Sequence, residues 1–222
     1  MAAEAVSSEG ALHIVTGCMF SGKSERLLSA ANRCAIDRRL VAGPLMDTRS
    51  IEGGAAVVCR SGTVRRLDDA VSVRSLECLR SHERYANVTH VFVDEAQFFE
   101  HLATDVLRMV YVDGKHVMLA GLVSDWRCRP FGELSLLLPH ANAMEIADGA
   151  RCAACGARAL YTVARHETDQ VCSQVQVGDT DTYSAVCGVH YHSPRDDLRK
   201  RREMVHGTTV DTVYPPTSPI AT

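Results

Sequence analysis

From residue 11 to about residue 148, short apolar runs alternate with amphipathic stretches. Segments 12–16, 57–60, 88–93, 116–121 and 143–147 are short, rich in Val, Ile, Leu and Ala, and read as strands. Segments 24–38, a piece near 68–80, 98–111 and 132–138 read as helices. In the first of these, Leu27, Leu28, Ala31 and Ala35 recur at helical spacing and form one buried face. Segment 41–52 is ambiguous, because Gly43-Pro44 interrupts it. Strands alternating with helices predict a largely parallel α/β sheet. His90, in an apolar strand, is expected to be a partly buried strand-end residue.

The pattern changes at Ala147-Asp148-Gly149-Ala150-Arg151. Residues 1–10 read as a flexible lead-in, 11–150 as the α/β domain, and 151–192 as a cysteine-bearing module with β character at 157–163. Residues 193–222 carry an Arg/Lys/Asp run and then Pro215-Pro216-Thr217-Ser218-Pro219, and read as a helical fringe entering a disordered tail. With 222 residues, the chain has room for one sizeable domain and a smaller module. A net charge of −3 gives no reason to expect a nucleic-acid surface. The acidic first residues lack the flanks of a signal peptide, and no run approaches membrane-spanning length. A cytoplasmic enzyme with neither nucleic-acid nor membrane partners is the expectation. Nine cysteines, an odd number, fit poorly with a complete disulfide framework. Cys18, Cys34, Cys59, Cys78, Cys128 and Cys172 have no ligand spacing and read as small apolar residues or free thiols.

Chemistry enters at Gly17-Cys18-Met19-Phe20-Ser21-Gly22-Lys23-Ser24, which fits the phosphate-loop pattern G-x-x-x-x-G-K-[ST]. It lies between an expected strand and an expected helix, as the motif requires. Glycines let backbone N–H groups turn toward phosphate oxygens, and the helix adds its positive end. Lys23 suits neutralisation of the β- and γ-phosphates of ATP, and the Ser24 hydroxyl suits Mg²⁺. A second element, Val91-Phe92-Val93-Asp94-Glu95-Ala96-Gln97, is an apolar strand ending in two carboxylates. Ligands of open α/β sheets bind at the C-terminal ends of strands. Asp94 suits the Mg²⁺ side; Glu95 can accept a proton from a substrate hydroxyl or orient a hydrolytic water.

Cys152-x-x-Cys155 and Cys187-x-x-His190 form two ligand hooks, a set suited to structural Zn²⁺ with no open coordination position. His192 is an alternative fourth ligand. The metal would clamp the segment 156–186, whose length and polar middle suggest a lid.

Together these motifs closely resemble type II thymidine kinases over residues 11–192. The resemblance rests on Gly17–Ser24 with Met19-Phe20, Asp47-Thr48-Arg49, Asp94-Glu95-Ala96-Gln97-Phe98-Phe99, Arg129-Pro130-Phe131-Gly132, and the zinc hooks around Gly178 and Tyr183. It implies a P-loop, RecA-like parallel sheet flanked by helices, with a small zinc-binding β module carrying a lasso lid. It implies transfer of the ATP γ-phosphate to the 5′-hydroxyl of thymidine or deoxyuridine. Glu95 would be the general base, with Lys23 and Arg49 at the transferred phosphoryl group. Gly17, Met19, Phe20, Ser21, Gly22, Lys23, Ser24, Asp94 and Gln97 would form the nucleotide side, with Ser24 and Asp94 serving Mg²⁺. Met19, Asp47, Phe98, Leu122, Trp126, Thr162 and Tyr183 would line the nucleoside side. Backbone groups of the lasso, Gln174, Val175, Gln176, Val177 and Gly178, would grip the base. A homotetramer and feedback inhibition by dTTP are implied as well. The chain departs from the family pattern at Ser50, where an aromatic residue is usual, at Asp179, where a second glycine is common, and at Trp126, where phenylalanine is commoner.

Two other readings compete. A P-loop ATPase with a zinc module acting on a macromolecule leaves Asp47-Thr48-Arg49, Met19 and the Gly178–Tyr183 lid unexplained. A non-enzymatic zinc module leaves Lys23, Ser24, Asp94 and Glu95 without purpose.

Overall fold

A computed structural model describes residues 9–44, 57–58, 64–65, 70–164 and 182–192. The strands are β1 (Ala11–Thr16), β2 (Arg39–Pro44), β3 (Val57–Val58), β4 (Val64–Arg65), β5 (Ala70–Val73), β6 (His90–Val93), β7 (His116–Ala120), β8 (Ala143–Ile146), β9 (Tyr161–Ala164) and β10 (Tyr183–Val186). The helices are α1 (Lys23–Arg33), α2 (Leu76–Arg80), α3 (Leu102–Tyr111) and α4 (Gly188–His192). Six strands form one sheet in the order β5-β2-β6-β7-β1-β8, and every pairing in it is parallel. The α/β expectation therefore holds. Among the described residues, no helix is long and apolar enough to cross a membrane.

Strand alternation sorts the core into two layers. Leu12, Ile14, Val91, Val93, Val117 and Leu119 face α3, which buries Leu102, Val106 and Met109 against them. Val15, Phe92, Met118 and Ala120 face α1 through Leu27, Leu28 and Ala31. Both central faces are covered, so the strands read as continuous apolar runs.

Several expected elements need correction. The helix expected over 24–38 stops at Arg33, and a separate 3₁₀ turn follows at Ile36–Arg38. Arg39, buried in β2, donates to the Ala31 and Cys34 carbonyls and so satisfies the helix end with a cation. The segment near 68–80 is not one helix: Ala70–Val73 is the edge strand β5, and only Leu76–Arg80 is helical. Ser75 caps that helix, its Oγ accepting from the Cys78 amide at 3.2 Å. The ambiguous 41–52 segment begins as strand β2, which Gly43-Pro44 ends without breaking the buried run Leu40-Val41-Ala42. β3 pairs with β4 in its own antiparallel ribbon, outside the main sheet. The helix expected over 98–111 begins at Leu102, and 132–138 forms a 3₁₀ stretch, Leu134–His140, with Pro139 inside it.

His90 is half-buried at the start of β6 and stacks on His116 of β7, ring centroids 5.0 Å apart. Burial lowers its pKa from the ordinary value, and His116 and Arg38 lower it further; burial also lowers that of His13. The unfolded chain therefore binds these protons first as pH falls, so stability declines from about pH 6.5 downward. Replacing His90 by Phe is expected to flatten that slope in denaturant melts between pH 7 and 5. An unchanged slope would remove His90 from the account.

Candidate functional site

β1 runs into the phosphate loop, and α1 begins within it at Lys23. Gly17 has φ of +142°, and a side chain there would place Cβ 2.7 Å from the Ala147 carbonyl oxygen. Lys23 is buried, and its Nζ donates to the Cys18 carbonyl across the loop at 2.8 Å. Ser24 Oγ donates to Asp94 Oδ1 at 3.0 Å. The two motifs, distant in sequence, therefore meet at the C-terminal ends of β1 and β6. Among the described residues, the buried side-chain polar atoms without a hydrogen-bond partner are Thr16 Oγ1 and Ser21 Oγ. Buried hydroxyls are ordinarily satisfied. Two orphaned ones at a glycine-rich loop, beside a lysine, suit an anionic ligand such as a nucleotide phosphate.

Glu95 follows Asp94 with φ of +49°, a left-handed conformation that is costly for a non-glycine residue. The turn sends the two adjacent carboxylates to different partners. Asp94, 4% exposed, meets Ser24, while Glu95 Oε2 accepts from Gln97 Nε2 at 2.6 Å. Gln97, expected on the nucleotide side, is buried, and its Oε1 accepts from the Leu122 amide at 2.9 Å.

The expected nucleoside-side residues are partly brought together. The Met19 amide donates to Thr162 Oγ1 at 3.0 Å, which joins the phosphate loop to β9. β9 and β10 pair with Thr162 opposite Ala185 and Ala164 opposite Tyr183, so Thr162 and Tyr183 share one face of the ribbon. Phe98 packs edge-on against Phe131, centroids 5.5 Å apart. Asp47, Arg49 and the lasso residues Gln174, Val175, Gln176, Val177 and Gly178 lie outside the described residues.

Asp125 was absent from the expected set, yet it organises the loop that carries Trp126. Its carboxylate is buried and accepts from the amides of Arg127 and Arg129 at 2.8 and 2.9 Å and from Arg129 Nε at 3.1 Å. A buried charge so thoroughly hydrogen-bonded fixes the loop. The Arg127 guanidinium lies 4.2 Å from the centre of the Trp126 ring. The sequence signal was the Asp125–Arg129 spacing next to the aromatic residue.

Cys152, Cys155, Cys187 and His190 bring one ligand atom each to within 4.8 Å of one another. His190, not His192, completes this group, through Nδ1. Cys155 and Cys187 sulfurs lie 3.8 Å apart, and Cys152 Sγ lies 3.6 Å from His190 Nδ1. Tetrahedral Zn²⁺ with ordinary bond lengths spaces two sulfurs by about 3.8 Å and a sulfur–nitrogen pair by about 3.6 Å. The donor set therefore fits zinc in type, number and spacing. Backbone hydrogen bonds, that from Cys187 foremost, bring the Cys152 thiol down to about 6, and the hydrogen bond with His190 lowers Cys187.

The segment that carries the Cys/His cluster packs directly on the Gly17–Ser24 loop. Cys18 Sγ donates to the Ala159 carbonyl at 3.6 Å, and Cys18 and Phe20 cluster with Ala150, Ala159 and Ala185. Tyr191 of α4 stacks on Tyr161 at 4.3 Å and accepts from Cys128 Sγ at 3.0 Å.

A family model described as thymidine kinase matches residues 10–191. The chain belongs to the thymidine kinase family. Among its relatives is a thymidine kinase of Coprothermobacter proteolyticus, 32% identical over 209 residues, covering 90% of this chain and 100% of that protein. A thymidine kinase of Mycoplasma genitalium is 32% identical, covering 83% of this chain and 84% of the relative. Thymidine kinase a of Arabidopsis thaliana is 33% identical, covering 82% and 75%. Membership in the thymidine kinase family makes the chain an enzyme.

Proposed function

We propose that the chain transfers the γ-phosphate of ATP to the 5′-hydroxyl of thymidine, and of deoxyuridine, to supply nucleotides for DNA synthesis. The observation that carries the reading is the Ser24–Asp94 hydrogen bond with Glu95 beside it. Lys23 and the loop amides hold the phosphates, and Ser24 and Asp94 hold Mg²⁺. Bound Mg²⁺ neutralises charge that develops on the phosphoryl oxygens. Glu95 accepts the proton of the attacking hydroxyl, and its separate orientation leaves Asp94 to the metal side. Arg49 approaches the transferred phosphoryl group with Asp47 beside it. Met19, Phe98, Leu122, Trp126, Thr162 and Tyr183 enclose the nucleoside. The lasso, with Gln174, Val175, Gln176, Val177 and Gly178, closes over the base and excludes water. Zn²⁺ on Cys152, Cys155, Cys187 and His190 holds the lasso's ends.

The proposal extends to organisation: an α/β domain over 11–150, a zinc and lasso module over 151–192, a homotetramer in the cytoplasm, and dTTP as a feedback inhibitor. A coupled assay with ATP, Mg²⁺ and thymidine tests the reaction. ADP formation that depends on thymidine, with dTMP as product, is expected. Equal ADP formation without nucleoside would replace this reading by a P-loop ATPase.

A further inference from the structure

We infer that Gln97 is the positioning residue for Glu95, and that Gly121 leaves the room its amide occupies. The inference rests on the reading of Glu95 as general base and adds the group that orients it.

The geometry has three independent parts. First, the Gln97 amide is committed at both ends: Nε2 donates to Glu95 Oε2 at 2.6 Å, and Oε1 accepts from the Leu122 amide at 2.9 Å. A side-chain amide held by a backbone N–H cannot flip without losing both bonds, so its donor is fixed toward the carboxylate. Second, Gln97 is 3% exposed, which removes water as a substitute partner. Third, the neighbouring backbone is cut back around it. A Cβ on Gly121 would lie 2.6 Å from Gln97 Oε1 and 3.1 Å from Leu134 Cδ2.

The Glu95 backbone is left-handed and its side chain half-buried, and the Gln97 amide fixes the direction of one carboxylate oxygen. Gln97 ties it to the first residues after β7, the strand between β6 and β1. The base and the Leu122 segment are thereby held in one frame. Misplacement of a reacting group by about 1 Å can cost up to about 10²-fold in rate.

The test compares Gln97→Met and Gln97→Glu with the parent enzyme and with Glu95→Gln, using steady-state kinetics across pH. Gln97→Met keeps the side chain's length and loses both hydrogen bonds. It is expected to lower kcat by about 10–100-fold with KM for ATP and thymidine within about 3-fold. Gln97→Glu keeps an acceptor for Leu122 but sets a second carboxyl group against Glu95. It is expected to move the acid limb of kcat upward by about one pH unit, which a purely structural role would not do. Adding Gln97→Met to Glu95→Gln is expected to cost little more than Glu95→Gln alone. A parental kcat and pH profile in both Gln97 variants would overturn the inference, even with Glu95→Gln inactive. An active Glu95→Gln would instead overturn the base reading on which it rests. If Gln97→Met does not fold, the acid limb of Gln97→Glu decides by itself.

Discussion

Glu95→Gln is expected to bind thymidine and ATP as the parent does and to lose about 10²–10⁴-fold in kcat. Glutamine has nearly the same shape, so the turn after β6 is retained. What it lacks is a carboxylate oxygen able to take the proton of the 5′-hydroxyl. Asp94 does not substitute, because its carboxylate is buried and accepts the Ser24 hydroxyl at 3.0 Å. The loss is therefore expected in kcat and kcat/KM together, with KM little changed, which marks a group acting in the transition state. Rapid-quench measurement of dTMP formation separates this step from product release. A kcat within a few-fold of the parent's would sink the general-base role and return Glu95 to the structural task of turning the chain.

The second large effect concerns the zinc cluster. Cys187→Ser is expected to reduce bound zinc from about one ion per chain to nearly none, measured by elemental analysis after desalting. Cys187 supplies a thiolate, hydrogen-bonds His190 at 3.2 Å and begins the turn that α4 continues. Its loss leaves two sulfurs and an imidazole, too few for a closed tetrahedral site. Zinc binding is folding energy for a module of this size, and each kcal/mol lost moves Tm by about 2–4 °C in a chain of this length. A fall in Tm of about 10 °C is expected. Activity is expected to fall as well, because the module contacts the phosphate loop through Thr162–Met19 and Ala159–Cys18. An unchanged zinc-to-chain ratio would reject Cys187 as a ligand.

Much of the fold was legible because its signals are local. The apolar runs of β1, β6 and β7 are buried on both faces, and such runs read the same in any parallel sheet. The strand, loop and helix around Gly17–Ser24 were legible for the same reason: the glycines, Lys23 and Ser24 are contiguous, and their arrangement depends on a single turn. The gathering of the two Cys/His hooks was legible because close ligand spacing is itself the signature. The misread elements share a different cause. Ala70–Val73 is a strand only because β2 offers it an edge, and α1 ends at Arg33 only because Arg39 reaches back to its carbonyls. Neither partner is visible in a local window of sequence.

The same division runs through the site. The residue types and their order determined the chemistry available: a phosphate loop, a pair of carboxylates at a strand end, and four soft or borderline donors for one metal. Tertiary structure alone decided how they are joined. It gave Asp94 to Ser24 and Glu95 to Gln97, although the two carboxylates are adjacent in the chain. It gathered His190, not His192, with the three cysteines, made Asp125 the anchor of the Trp126 loop, and seated Ala159 on Cys18 and Thr162 on Met19. Each choice depends on directional contacts of a few ångströms between distant segments, and such contacts exist only once the sheet has brought those segments together.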